Sequence, residues 1–90
     1  MPLLTPAEIA AGLPAGWEGD GSGLRRTYVY ADFAEALGAV NRIGEVAEAM
    51  DHHPDIDIRY NRVALSVVSH SAGGVTAADL ELAARISAVA

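Results

Sequence analysis

The fold is decided by residues 55–70, which read DIDIRYNRVALSVVSH. Apolar and polar side chains alternate on both sides of a turn predicted at residues 61–62, and such alternation is typical of half-buried β-strands. The stretch therefore predicts a β-hairpin whose second strand covers residues 63–69. The apolar positions that share a face are Ile56, Ile58 and Tyr60 in the first strand and Val63, Leu65 and Val67 in the second.

Two helices flank this hairpin. Asp32 and Glu35 have the spacing of a capping box, which begins a long helix, and Pro54 ends its register. Thr76 and Asp79 have the same spacing and begin the last helix. The core-facing stripe predicted for the long helix consists of Phe33, Leu37, Val40, Ile43, Ala47 and Met50.

The N-terminal third of the chain has the same order of elements. Thr5 and Glu8 form a further capping box, for a short helix that ends at Gly12. Strands at residues 17–20 and 24–30 follow, joined by a glycine-rich turn. The full order, α-β-β-α-β-β-α, predicts an α+β fold with a four-stranded antiparallel sheet and three helices packed on one face.

Composition limits the classes of function. The 90 residues are enough for one domain, residues 1–90, and a hydrophobic content of 51% is that of a chain that folds. A net charge of −6 argues against nucleic acid, and the absence of cysteine excludes a thiolate nucleophile. No apolar run approaches the roughly 20 residues that span a membrane, and no signal peptide begins the chain, so we expect a cytoplasmic protein. Because much of the apolar content is alanine, the core of a monomer would be thin, and we expect an oligomer.

All three histidines of the chain, His52, His53 and His70, lie in its second half. The first two follow the long helix and the third ends a hairpin strand, so all of them reach the open end of the hairpin and can converge on one ligand. An imidazole both donates and accepts protons near neutral pH, since its unperturbed pKa is about 6.5. One residue type can therefore supply both an acid and a base.

Other interpretations of these residues stay open. A His-His pair before a proline is common at a helix C-terminus, where a cationic side chain favours the helix dipole. Three imidazoles with Asp79 could form a zinc shell, although neighbouring residues in an extended segment point to opposite sides. Asp79 also has a structural explanation, because an acidic residue in the first turn stabilises the start of a helix.

The spacing of polar residues along the chain resembles the signature of a known family. The residues that carry it are Glu48, Asp51, His52, His53, Pro54, Tyr60, His70 and Asp79. In this order and at these intervals they resemble the pterin-4a-carbinolamine dehydratases, and the similarity runs from Gly16-Trp17 to the Gly73-Gly74 pair before Thr76. A chance match to so many spaced positions would be improbable.

This resemblance implies an activity and a site. The activity is conversion of a 4a-hydroxytetrahydropterin to quinonoid dihydropterin and water by histidine acid/base catalysis, in pterin recycling. The implied catalytic residues are His52, His53 and His70, and the implied substrate-binding residues are Asp79, Glu48 and Pro54. No metal and no organic cofactor are implied, and the sheet is expected to be curved with the histidines on its concave side.

The resemblance also implies partners. We expect a pterin substrate, an aromatic amino acid hydroxylase in the same pathway, and neither nucleic acid nor membrane. Family members form homodimers by extending the sheet and homotetramers through the second helix, so either state is expected here. The alternative function is a non-catalytic protein-binding or dimerisation module on the same fold, because the family is known for stabilising the dimer of a homeodomain transcription factor.

Overall fold

The chain folds into three α-helices and four β-strands in the predicted order. The structure, a computed structural model, describes residues 1–90. The elements are α1 (Pro6–Gly12), β1 (Glu18–Asp20), β2 (Gly23–Val29), α2 (Phe33–Met50), β3 (Asp55–Arg59), β4 (Arg62–Val67) and α3 (Ala77–Val89). The strands form one antiparallel sheet in the order β1-β2-β4-β3. The predicted α+β fold is therefore confirmed.

The helices cover one face of the sheet and leave the other face open. On β4 the side chains of Val63, Leu65 and Val67 are buried, while those of the intervening residues are not. Leu24 of β2 pairs with Val67 and is buried on the same face. Burying a side chain of this size stabilises the fold by about 1.5–3 kcal/mol. A shift of the strand pairing by one residue would expose this row and lose that stabilisation, so the apolar row fixes the register of the strands.

Each helix begins at the predicted N-cap. The capping boxes of Thr5 with Glu8 and of Thr76 with Asp79 are both formed. In α2 the Asp32 carboxylate accepts a hydrogen bond from the Glu35 N–H at 2.8 Å, but the return bond from the Glu35 side chain is absent. Half of that predicted box is therefore present, and it suffices to begin the helix. None of the helices combines the length and apolar content that crossing a membrane requires.

The buried face of α2 differs from the predicted stripe. Phe33 and Leu37 are 46% and 42% exposed, whereas the buried positions include Ala36 and Ala39, which lie outside the predicted stripe. Alanine faces inward here because α2 packs against both α3 and the sheet, and small side chains allow helices to approach closely. Ile43 and Ala47 are buried as predicted.

The hairpin turn lies one residue earlier than predicted. Arg59 pairs with Arg62, so the two-residue connection is Tyr60-Asn61 and Tyr60 is not part of the strand. Tyr60 takes left-handed backbone angles (φ 51°) and is 66% exposed. Asn61 would accept such angles more readily, but its side-chain amide donates to the Tyr30 carbonyl oxygen at 2.9 Å and holds it in place. The burial of β3 is also weaker than predicted, since Ile56 is 37% exposed and Ile58 is only partly buried.

Candidate active site

A pocket opens where α2 ends, β4 ends and α3 begins. It has a volume of about 420 Å³, and His52, His53 and His70 are among the residues that line it. Asp55 at the start of β3 pairs with Ser66 near the end of β4, so the segments beyond these two residues run side by side. The structure thus brings the three histidines to one pocket, at the open end of the central hairpin.

His52 is held by the end of α2 and by a buried carboxylate. Asp51 ends the helix in the left-handed region (φ 50°), and the His52 N–H donates to the Ala47 carbonyl oxygen at 3.1 Å. His52 Nε2 lies 2.6 Å from Oδ1 of Asp79. Because an ionised carboxylate only accepts hydrogen bonds, Nε2 carries the proton. The other ring nitrogen, Nδ1, is then left to exchange a proton with a ligand.

Asp79 is fully buried (0% exposed) in the first turn of α3. Its second oxygen, Oδ2, accepts hydrogen bonds from the Ser69 hydroxyl and from the Thr76 N–H, both at 2.8 Å. With the bond from His52, these contacts and the helix dipole replace the water that a buried carboxylate loses. The resemblance implied that Asp79 binds the substrate; in the structure its carboxylate contacts His52 and does not line the pocket.

His53 is held more loosely than His52. Its Nε2 contacts a carboxylate oxygen of Glu48, which lies five residues earlier in the last turns of α2. The two side chains are 54% and 77% exposed, and exposed pairs of this kind contribute only about 0–1 kcal/mol. His53 can therefore turn toward a ligand at little cost.

His70 lies in a short 3₁₀ turn, His70–Ala72, and not at the end of a strand as predicted, because β4 ends at Val67. The loop is closed by a bridge in which the Ser69 N–H donates to the Gly74 carbonyl oxygen at 3.0 Å. Gly73 has φ 79°, a region that favours glycine. The His70 imidazole is exposed and makes no hydrogen bond within the chain, so both ring nitrogens are open to a ligand.

The sequence also matches known proteins. A family model described as pterin 4 alpha carbinolamine dehydratase matches residues 2–89. The chain belongs to this family. A relative from Thermomicrobium roseum, named "Putative pterin-4-alpha-carbinolamine dehydratase", is 49% identical over 92 aligned positions that cover 100% of this chain and 99% of that protein. The resemblance seen in the sequence is therefore confirmed.

Two solved structures are similar to this one. The crystal structure of a transcriptional coactivator/pterin dehydratase from Brucella melitensis has a TM-score of 0.91 and 32% identity, covering 99% of both chains. A pterin dehydratase-like protein described as a RuBisCO assembly factor in the alpha-carboxysome has a TM-score of 0.66 and 19% identity, covering 81% of this chain and 84% of that one. At 19% identity the second structure supports the fold alone.

The remaining residues of the pterin dehydratase signature lie at different distances from the pocket. Glu48 and Pro54 do not line it; Glu48 reaches it through His53, and Pro54 follows that histidine in the chain. Tyr60 is at the opposite end of the hairpin. Whether Glu48 and Pro54 touch a substrate is thus a prediction.

Ser69 was not among the residues singled out from the sequence. It lines the pocket and is 8% exposed, and its hydroxyl donates to the buried Asp79. The sequence does contain a pattern that indicates Ser69, because this residue continues the inward-facing series of Val63, Leu65 and Val67. A hydroxyl at a core-facing position needs a polar partner, and that requirement points to a nearby buried group.

The imidazoles are not arranged as a metal shell. No group of three or more His, Cys, Asp or Glu side chains lies close enough together to hold one ion. The Nε2 atoms of His52 and His53 each face a different carboxylate, that of Asp79 and that of Glu48. What these rings offer is therefore proton donors and acceptors around a cleft.

Proposed function

We propose that this chain is a dehydratase that converts 4a-hydroxytetrahydropterin to quinonoid dihydropterin and water by histidine acid/base catalysis. The observation that carries the proposal is that three imidazoles meet at one pocket of about 420 Å³ in a chain of the pterin dehydratase family. A pocket of this volume lies within the range of about 300–1,000 Å³ that is usual for small-molecule sites.

The reaction needs two proton transfers. The bond between carbon 4a and its hydroxyl breaks, and the hydroxyl leaves as water after taking a proton. The neighbouring ring nitrogen loses its proton, and its electron pair forms the new double bond to carbon 4a. Each such transfer contributes about 10²- to 10⁴-fold when the partner is well placed.

His52 and His70 take these two roles in the proposed mechanism. Nδ1 of His52 accepts the proton from the ring nitrogen, because the Asp79 carboxylate at Nε2 stabilises the imidazolium that forms. His70, open to the pocket, donates the proton to the departing hydroxyl. His53 holds the pterin by a hydrogen bond, and its loose pairing with Glu48 lets it do so.

Several wider statements belong to the same proposal. We propose that residues 1–90 act as one domain, in pterin recycling after an aromatic amino acid hydroxylase, and in the cytoplasm. We also propose a homodimer or homotetramer, since Phe33 and Leu37 leave apolar surface on α2 that a second copy would cover. Sedimentation of the purified chain measures the oligomeric state directly.

An assay of quinonoid dihydropterin formation tests the function. Freshly made carbinolamine is followed by absorbance with and without the protein, and we expect rapid conversion with it. His52→Ala and His70→Ala should each lower turnover by at least about tenfold while leaving the fold intact. Thr27→Ala, an exposed change on the open face of the sheet, is the matched control and should keep full turnover. A wild-type chain that does not exceed the spontaneous rate would refute the proposal.

A second candidate is a protein-binding module without catalysis. The name of the similar Brucella melitensis structure joins a coactivator to a pterin dehydratase, which favours keeping this candidate. A specific protein partner combined with no dehydratase activity would support it over the enzyme.

A further inference from the structure

Ser69 stands between the two segments that carry the histidines. Its hydroxyl points inward to the buried Asp79, two residues beyond the end of β4, and the residue is 8% exposed. Its backbone lies directly before the 3₁₀ turn of His70. One residue thus contacts the buried carboxylate behind His52 with its side chain and begins the loop of His70 with its main chain.

The direction of the hydrogen bonds around Ser69 follows from the donors present. Ser69 Oγ lies 2.8 Å from Asp79 Oδ2 and 2.9 Å from Thr76 Oγ1. The ionised carboxylate only accepts, so Ser69 gives its single proton to Asp79 and must accept the proton of Thr76. Thr76 Oγ1 in turn accepts from the Ala78 N–H at 3.3 Å. Every polar atom in this buried group is satisfied.

This chain of bonds fixes the carboxylate. Oδ2 of Asp79 is held by Ser69 and by the Thr76 N–H, so the carboxylate cannot rotate and Oδ1 stays aimed at His52 Nε2. Removing the hydroxyl would leave Oδ2 with one donor and Thr76 without its acceptor. A shift of the carboxylate by even a fraction of an ångström would change the position of the His52 ring, because the two are in direct contact.

The main chain of Ser69 acts on the other histidine. Its N–H donates to the Gly74 carbonyl oxygen, and its carbonyl oxygen accepts from the Gly73 N–H, both at 3.0 Å. These bonds close the loop on which His70 is carried. Displacement of Ser69 therefore changes the separation of His52 and His70, the two residues between which the proposed proton transfers are divided.

We propose that Ser69 is a positioning residue for the reaction, one that sets the orientation of His52 through Asp79 and couples it to the loop of His70. The expected effect of Ser69 on turnover rests on the proposed dehydratase function, but its effect on the orientation of His52 does not depend on that function. Ser69 touches no reacting atom in this role. A structural role alone, stabilising the start of α3, would change the stability of the fold and leave His52 and turnover unaffected.

Two measurements on the full chain test this. Without substrate, the His52 Nε2–H proton, held by a buried carboxylate, should give a resolved downfield NMR signal, and Ser69→Ala should lose it. With substrate, Ser69→Ala should lower kcat by about tenfold and change KM by less than about twofold, since misplaced groups chiefly reduce the chemical step. Ser69→Thr keeps a hydroxyl on an extended backbone and should keep the signal and, within about threefold, the wild-type kcat.

Ser66→Ala is the matched control, because Ser66 lies on the same strand with its side chain on the open face. It should match wild type in both measurements.

Ser69→Ala with an unchanged kcat, or Ser69→Thr with a loss equal to that of alanine, would overturn the proposal. If Ser69→Ala does not fold, Ser69→Cys tests the proposal in its place, because a thiol fills the site but is a weak hydrogen-bond donor. A reduced NMR signal and a reduced kcat in Ser69→Cys would support the proposal, and wild-type values would overturn it. Absence of activity in the wild type refutes the dehydratase, and the NMR signal then decides the Ser69 assignment alone.

Discussion

At the scale of single residues, the charge on Asp79 is the most consequential feature of the site. A carboxylate without contact with water is tolerated only when hydrogen bonds replace its hydration, and here three donors do so: His52, Ser69 and the Thr76 N–H. The same contacts that stabilise the start of α3 therefore also fix the tautomer and the orientation of His52. The Asp79 side chain thus serves both the stability of α3 and the proposed catalysis.

Asp79→Asn removes the negative charge of the side chain and keeps its shape. The amide oxygen can still accept from Ser69 and Thr76, but its NH₂ group then faces His52 Nε2 and forces the proton to Nδ1, the nitrogen that the proposed mechanism needs free. We expect turnover to fall by at least about tenfold and the free energy of unfolding to fall by about 1–3 kcal/mol. Kinetics and urea unfolding measure the two effects.

Glu81→Gln is the matched control, on the same helix and in an exposed pair with Arg85. It should change stability by less than about 0.5 kcal/mol and leave turnover unchanged. Full turnover in Asp79→Asn would contradict the assigned tautomer.

At the scale of elements, α2 shows how far a sequence can be interpreted. Its N-cap at Asp32 and its length were predictable, because capping chemistry and helical periodicity are local. The buried face of α2 was not predictable. A stripe that contains Phe33 and Leu37 fits the apolar pattern as well as one that contains the buried alanines. Which stripe is buried depends on how closely α3 and the sheet approach, and that distance is set by residues far away in the chain.

Two substitutions on α2 test the observed face. Ile43→Ala removes a side chain with no exposed surface and should lower the free energy of unfolding by about 2–5 kcal/mol. Leu37→Ala, on the half-exposed side, should lower it by less than about 1 kcal/mol at concentrations where the chain is monomeric. Urea unfolding of both variants measures the difference. A larger loss for Leu37→Ala than for Ile43→Ala in the monomer would contradict the observed burial of Ile43 and exposure of Leu37.

At the scale of the whole molecule, the site is assembled from segments that only the fold brings together. The convergence of three histidines was predictable, because antiparallel pairing of the central hairpin places both segments at its open end. The pairing of Asp79 with His52 was not, since 27 residues separate them and the contact depends on how α3 packs behind α2. Local patterns fix elements, but long-range packing decides which side chains meet.

The stability of the whole chain should also depend on alkaline pH through Tyr30. Burial raises the pKa of this phenol above its ordinary value of 10.0, and its hydroxyl donates to the Ala90 carbonyl oxygen at 3.3 Å. The unfolded chain then loses this proton at lower pH than the folded one, so stability falls as pH rises above 10. Unfolding free energies measured across that range should decline less steeply for Tyr30→Phe. An equal decline in both proteins would remove Tyr30 as the cause.

The central claim is that a pterin binds among the three histidines, and a crystal structure with a bound dihydropterin tests it most directly. We expect the bicyclic ring in the pocket of about 420 Å³, within hydrogen-bond distance of ring nitrogens of His52, His53 and His70. The molecule offers one other cleft, of about 350 Å³ on the open face of the sheet beside Arg25 and Asp55. A pterin bound there, with no imidazole in contact, would contradict the account.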